Sequence, residues 1–168
     1  IGISIIISDL TSTLKKKEII NATNAMAIDS IETDIIVSKI PLANRSDVSK
    51  NNKRAHEYAQ LILKAYELEE SVSIKINKSI PEHSGLGSGT QLALAVGSAV
   101  SKLFNLNLSL MDIGKILDRG NRSGIGIGAF EHGGFLIDGG KGKSDDLPQI
   151  TVRHNFPDNW RIVLLINQ

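Results

Sequence analysis

The sequence predicts an α+β fold or a mixed sandwich of strands and helices. Short β-branched runs of the strand type stand near both ends of the chain, and two long segments in its middle have helical spacing of apolar residues. The predicted elements follow one another as β, β, β, α, β, α, α and then a β-rich segment. This order does not alternate as it would in a doubly wound fold.

Three strands are predicted in the first third of the chain. Ile3–Ser8 is a continuous apolar run typical of a buried strand, and Glu18–Ala22 and Thr33–Ser38 are two further candidates. A helix over Val48–Leu68 follows, and Ser46 or Asp47 can cap it. Its charged residues are interpreted as a solvated face: Lys50, Lys53, Arg54, Glu57 and Lys64.

The centre of the chain has the most informative pattern. Ser71–Asn77 alternates apolar and polar residues with a period of two, which predicts a half-buried strand. A glycine-containing loop follows, and then a helix that is apolar nearly all round and extends to Phe104. Such a helix is expected to be buried, with a cavity at its small, polar first turn.

The last third is predicted to begin with a short helix. Ser109 and Asp112 match a capping box, and the helix ends near Arg119. The strand candidates that follow are Ala129–Glu131, Gly134–Ile137, Gln149–Val152 and Arg161–Ile166.

Length and composition limit the classes of function. The 168 residues are interpreted as a single domain over 1–168, truncated at both ends. A net charge of +1 gives no basis for nucleic-acid binding, and no apolar run has the length of a membrane span. The absence of cysteine excludes disulfides, thiolate metal sites and a cysteine nucleophile. With no secretory signal visible, a cytoplasmic location is expected.

The loop between the strand and the buried helix is predicted to bind an anion. Glycine allows the backbone to approach a ligand, and the first amides of a helix have no intrahelical partner. A phosphate or pyrophosphate is the natural occupant of such a site. The alternative is a tight turn that binds nothing. The predicted phosphate-binding residues are Ser84, Gly85, Leu86, Gly87, Ser88, Gly89 and Thr90.

A second glycine-rich stretch runs from Asp118 to Gly140. It formally matches a dinucleotide-binding pattern, but it follows a predicted helix and enters a predicted strand, so that interpretation is rejected. Arg119 and Arg122 lie at its start, and their planar guanidinium groups suit phosphate. For Arg119, a role in satisfying the end of the preceding helix is the alternative.

Two Glu-His pairs stand beside glycines. A carboxylate at Glu82 or Glu131 that faces the predicted cavity could act as a base, and Glu82 could hold Mg²⁺ through water. An ordinary surface position is the alternative for each. His56 and His154 have no partner in the sequence and are interpreted as structural.

The two glycine stretches together resemble the GHMP family of small-molecule kinases. Pro81-x-x-x-Gly85-Leu86-Gly87-Ser88-Gly89 is similar to the phosphate loop of that family, and Ser123-Gly-Ile-Gly126 with Gly133-Gly134 is similar to its second motif. The resemblance implies an α+β N-terminal domain of the ribosomal-protein-like type, in which a mixed sheet packs on helices, with the ferredoxin-like C-terminal domain absent from this chain. It places the catalytic Asp of the family on Gly126 and a serine often tied to Mg²⁺ on Gly89.

A narrower resemblance covers more of the chain. The strings IPEHSGLGSGTQLALAVG and RSGIGIGAFEHGGFLIDGG resemble the β-ribofuranosylaminobenzene 5'-phosphate synthase family. That resemblance implies an archaeal pentosyltransferase that opens methanopterin biosynthesis. It would join phosphoribosyl pyrophosphate to 4-aminobenzoate or 4-hydroxybenzoate with Mg²⁺, releasing CO₂ and pyrophosphate. An ATP-dependent kinase and a non-catalytic nucleotide-binding module are the alternatives. A homodimer is left open.

Overall fold

The computed structural model describes residues 3–7, 24–28, 32–40, 52–140, 147–157 and 159–163. Helices and strands follow one another without regular alternation along these residues, which is typical of an α+β fold. The elements are β1 Ile3–Ile7, β2 Asn24–Ile28, β3 Asp34–Ile40, α1 Lys53–Ala65, β4 Ser71–Lys78, α2 Ser88–Leu103, α3 Leu110–Ile116, α4 Ile125–His132, β5 Phe135–Asp138 and β6 Ile150–His154.

The described strands form two sheets. One has four strands in the order β1-β2-β5-β6, and the other is the pair β3-β4. Every pairing among these strands is antiparallel, so the mixed pairing expected from the sequence is not found there. The predicted alternation of β4 is confirmed, because Val72 and Ile74 are buried whereas Ser73 and Lys75 are exposed.

The main hydrophobic core lies where α1, α2 and α3 meet β4. Each large apolar side chain that is fully buried there contributes roughly 1.5–3 kcal/mol to stability. Gly97 of α2 permits the close approach of α3, because a Cβ at that position would lie 2.3 Å from Ile113 Cγ2. The buried members of this core include Ala55, Tyr58, Ala59, Ile62, Val72, Ile74, Ala93, Leu94, Val96, Val100, Ile113 and Leu117.

A predicted strand over Ala129–Glu131 is wrong, because these residues belong to helix α4. The alternation of isoleucine and glycine over residues 125–128, just before it, mimics a strand. Contacts with residues distant in sequence favour the helix instead. The Asp138 carboxylate accepts the Gly124 amide at its start, and Ile125, Ile127 and Ala129 are buried against other elements.

The other expectations have mixed outcomes. The strand around Thr33–Ser38, the buried helix that follows the glycine loop and the capping box of Ser109 and Asp112 are confirmed. Strand β2 was missed, because its alanine- and asparagine-containing sequence has weak strand propensity. No strand is present over Arg161–Val163. The candidate Glu18–Ala22 and the helix cap at Ser46 or Asp47 lie outside the described residues.

Helix α2 is the longest helix of the described part of the chain, with 16 residues. No described helix is long and apolar enough to cross a membrane.

Candidate functional site: an anion-binding loop with two arginines

The loop before α2 has the backbone geometry of an anion site. Gly85 and Gly87 have φ angles of 75° and 70°, in the left-handed region that glycine adopts without steric cost. Leu86, only 4% exposed, anchors the loop in the protein between these two glycines. The loop is therefore fixed at its apolar centre, while the amides around it remain available.

The first turn of α2 has free donors and no acidic residue. Gly87 is the N-cap, no side chain caps the helix, and no carboxylate lies in its first turn. The Thr90 amide donates to the Gly87 carbonyl at 3.1 Å, so Thr90 can offer a ligand only its hydroxyl. Ser84 donates its hydroxyl to the Pro81 carbonyl at 2.7 Å and serves the turn. The Ser88 and Gly89 amides and the Ser88 hydroxyl are the donors that fit an anion.

Two arginines from different elements meet at the buried Tyr58 side chain. Arg119 Nη2 donates to Tyr58 Oη at 2.5 Å, and Arg54 Nη2 donates to the same oxygen at 3.4 Å. The two guanidinium nitrogens therefore lie within about 6 Å of each other. Two unit charges about 6 Å apart repel by about 3 kcal/mol at an effective dielectric of 20, and an anion bound between them would offset this repulsion.

Arg54 corrects the sequence analysis, which assigned it to the solvated face of α1. Its guanidinium reaches the first turn of α2, where a Cβ on Gly89 would lie only 2.9 Å from Arg54 Nη2. Because Gly89 has no side chain, the Arg54 guanidinium can occupy the space beside it. Its position four residues before Tyr58, at the edge of the apolar stripe, was the signal available in the sequence.

Glu82 lies beside the same loop and pairs with Arg54, with 2.8 Å between Glu82 Oε1 and Arg54 Nη1. Both side chains are about half exposed. The hydrogen bond from Arg54 to Tyr58 is the main factor that raises the pKa of Arg54 above its usual value, and Glu82 adds to it. Arg54 thus stays a cation at every relevant pH.

The cavity expected at the start of α2 is present. Its volume is about 540 Å³, and it opens between the loop, α1 and β4. Its lining includes Arg54, Lys53, Glu82 and Ser88. A larger cavity of about 940 Å³ lies along α2 beside β3 and is lined mainly by neutral side chains, among them Gln91 and Phe130. Ile80 lines both cavities.

The second glycine stretch is held in place by Asp138, which the sequence analysis missed. This fully buried carboxylate accepts hydrogen bonds from the Ser123 hydroxyl and the Gly124 amide at 2.5 and 2.9 Å. It also accepts the Gly140 amide at 2.9 Å. The stretch opens helix α4, contrary to the expectation that it enters a strand, yet it follows a helix and so still lacks the dinucleotide-binding context.

The two glycine stretches meet at Gly126. A Cβ on this residue would lie 2.8 Å from Thr90 Cγ2, and the Gln91 side chain donates to the Gly126 carbonyl at 3.1 Å. The first turn of α4 therefore packs directly on the first turn of α2. No side chain can be added at Gly126 unless Thr90 moves.

Arg122 and Glu131 are not brought to the loop in the described structure. Arg122 is exposed and makes no hydrogen bond or ion pair with a described residue. Glu131 is exposed on the last turn of α4 and lies 3.4 Å from His132. It stands about 7.5 Å along the helix axis and about 140° around it from Gly126.

The described residues contain no group of three or more His, Asp or Glu side chains placed to hold a metal ion. Magnesium in phosphate-handling sites is often bound by one or two carboxylates together with substrate phosphates. Glu82 is the one carboxylate among the residues lining the 540 Å³ cavity. The residues present therefore fit a magnesium ion that enters with a phosphate-bearing ligand.

Comparison with protein families supports the interpretation of both glycine stretches. Residues 53–134 match the family described as GHMP kinases N terminal domain. A mevalonate kinase structure from Methanococcus jannaschii has a TM-score of 0.56 at 16% identity, covering 81% of this chain and 51% of that chain. The chain therefore has the fold of a GHMP kinase N-terminal domain.

Two curated relatives are more similar in sequence. Beta-ribofuranosylphenol 5'-phosphate synthase of Methanocaldococcus jannaschii is 49% identical over 113 residues, which are 58% of this chain and 34% of that protein. The enzyme of the same name from Methanothermobacter thermautotrophicus is 36% identical over 122 residues, which are 66% of this chain and 37% of that protein. The chain thus spans little more than a third of the length of these relatives.

Proposed function

We propose that the full-length protein uses the glycine loop before α2 to bind phosphate in a pentosyl transfer, because residues 53–134 match the family described as GHMP kinases N terminal domain. The reaction joins the ribosyl 5'-phosphate group of phosphoribosyl pyrophosphate to an aromatic acid and releases pyrophosphate and CO₂. The similarity to synthases from two archaea supports this proposal.

The observation that carries the proposal is the contact between Gly126 and Thr90. The glycine loop resembles a phosphate loop, but the position at which the kinase pattern has its catalytic Asp has no side chain, and a Cβ there would lie 2.8 Å from Thr90 Cγ2. A kinase needs a group that orients the hydroxyl and accepts its proton. A reaction that uses the loop without such a proton transfer fits this site better.

The proposed reaction balances without a base. The ring carbon that bears the carboxylate attacks the ribosyl C1 as the C1–O bond breaks and its electron pair leaves with pyrophosphate. Loss of CO₂ then returns the electron pair of the carbon–carbon bond to the ring and restores its aromaticity. No proton is transferred, so the protein contributes by positioning and by electrostatic stabilisation of the leaving group.

Each part of the site has a role in this scheme. The Ser88 and Gly89 amides and the first turn of α2 hold the pyrophosphate. Arg119 adds a positive charge through its contact with Tyr58. Magnesium, bound mainly by the pyrophosphate with Glu82 as the nearest carboxylate, would neutralise the charge of the leaving group.

The name of the relatives bears on the acceptor. A ribofuranosylphenol product requires an acceptor with a ring hydroxyl, as in 4-hydroxybenzoate, whereas 4-aminobenzoate would give an aminobenzene. We therefore place 4-hydroxybenzoate first.

The test uses the full-length protein with Mg²⁺, phosphoribosyl pyrophosphate and either acceptor, and measures CO₂ and pyrophosphate together. We expect equal amounts of both, only with all components present, and loss of release in Gly87→Val, since valine does not adopt the backbone of Gly87. ATP turnover with a small alcohol, without CO₂, would establish the kinase instead. Anion binding with neither activity would favour the non-catalytic module.

A further inference from the structure

A connected polar cluster beside the loop before α2 consists of Arg54, Tyr58, Glu82 and Arg119. Arg54 and Arg119 both donate to the Tyr58 hydroxyl oxygen. A tyrosine hydroxyl has two acceptor positions and one donor. With both acceptor positions used by cationic donors, its proton must point to another acceptor, and Tyr58 donates to no described residue.

A second unsatisfied donor lies in the same cluster. Arg119 Nε is buried and has no hydrogen-bond partner among the described residues. Buried polar atoms in proteins are nearly always paired, so the orphaned N–H and the unassigned O–H are both open to an acceptor supplied by a ligand. Both donors and the two guanidinium charges require the same kind of ligand, an anion with several oxygens.

The remaining acceptor in the cluster is Glu82, which pairs with Arg54, and no described carboxylate pairs with Arg119. Its side chain is 54% exposed, so it can move into solvent at little steric cost. Arg54 lies close enough to the first turn of α2 that a Cβ on Gly89 would touch it. Glu82 therefore pairs with Arg54, the arginine that lies against the first turn of α2.

We propose that Arg54, Tyr58 and Arg119 form a two-arginine clamp for the pyrophosphate group, and that Glu82 is the exchangeable counter-ion of this clamp. When the loop is empty, Glu82 neutralises Arg54. When pyrophosphate binds, it displaces the Glu82 carboxylate from Arg54, and the freed carboxylate would be available to a magnesium ion. This inference rests on the proposed function only in placing a pyrophosphate-bearing substrate at the loop.

The exchange predicts opposite effects for two substitutions in the absence of metal. Arg54→Gln removes a charge-assisted contact to pyrophosphate and should weaken binding by tenfold or more. Glu82→Gln removes the competitor and should strengthen binding severalfold. A carboxylate that acted only as a magnesium ligand would give no metal-free effect in Glu82→Gln.

Isothermal titration of inorganic pyrophosphate into the full-length protein, in EDTA and then in Mg²⁺, measures these effects. Lys64→Gln is the matched control, because it removes an exposed charge from the last turn of the same helix. It should remain within twofold of the wild-type affinity. Arg54→Lys, which keeps the charge but loses the planar fork, replaces Arg54→Gln if that variant does not fold.

Tyr58→Phe tests the positioning role of the hydroxyl, since it retains the ring that packs in the core. We expect weaker pyrophosphate binding and a raised KM for phosphoribosyl pyrophosphate with kcat within twofold. The clamp is refuted if Arg54→Gln behaves like Lys64→Gln. The counter-ion role is refuted if Glu82→Gln binds metal-free pyrophosphate no tighter than wild type. If the binding results hold but no CO₂ is released, the clamp stands and the pentosyl transfer fails.

Discussion

Gly126 packs against Thr90, so the effect of Gly126→Ala on the free energy of unfolding should depend on the residue at position 90. In Gly126→Ala, the new Cβ would lie 2.8 Å from Thr90 Cγ2 and 3.3 Å from Thr90 Cβ. Favourable contacts between carbon atoms lie at about 3.5–4.0 Å, and a β-branched side chain in a helix has little rotamer freedom. Such overpacking costs about 1–3 kcal/mol, whereas alanine in place of glycine in a helix gains up to about 1 kcal/mol.

Denaturant unfolding of the full-length protein, followed by circular dichroism, measures the free energy of unfolding of four forms. We expect Gly126→Ala alone to be destabilised by about 0.5–2 kcal/mol. In the Thr90→Ser background the methyl group is gone, so the same alanine should be neutral or stabilising by up to about 1 kcal/mol. The resulting coupling energy is about 0.5–3 kcal/mol, and Thr90→Ser alone is the control.

Equal destabilisation by Gly126→Ala in both backgrounds would refute the argument, because Thr90 would then not be what excludes a side chain at this position. A coupling of the expected size supports a further consequence. The catalytic Asp of the kinase pattern cannot be restored at Gly126 by one substitution, since its Cβ meets the same methyl group.

Three further predictions concern residues outside the loop. Asp138→Ala leaves the donors from Ser123, Gly124 and Gly140 without their acceptor, so the free energy of unfolding should fall by about 3 kcal/mol or more, measured by denaturant unfolding. Asp138→Ala as stable as wild type would contradict this. Burial lowers the pKa of His56 below its usual 6.5, so the unfolded chain binds a proton first as the pH falls. Stability should be complete above pH 6.5 and decrease below it, and His56→Leu should flatten that part of the stability–pH curve; an unchanged curve would count against it. Ser109→Ala removes the N-cap of α3 and should lower the melting temperature, at a cost of about 1 kcal/mol, whereas an unchanged melting temperature would show that the cap does not matter.

Much of the fold could be predicted because its signals are local. The alternation of Val72 and Ile74 with polar residues identifies β4, and the capping box of Ser109 and Asp112 identifies α3. The left-handed backbone at Gly87 requires glycine, so the sequence itself marks the turn into α2. The anion site at that turn was predicted for the same reason.

Other parts depend on contacts between residues far apart in the chain. Helix α4 forms in a segment whose alternating glycines suggest a strand, because Asp138 holds its start and its isoleucines are buried elsewhere. Arg54 has the sequence context of a solvated helix face, and only packing brings it to the loop 28 residues later, beside Glu82.

The sequence by itself determined the glycine loop, the buried helix behind it and the absence of a carboxylate at position 126, since these follow from residue identity and short-range geometry. Only the tertiary structure decided which charges meet there. Arg54, Arg119 and Tyr58 come from two distant segments, 61 residues apart at Tyr58 and Arg119. Their convergence depends on how α1 packs against α2 and α3, which no local pattern encodes.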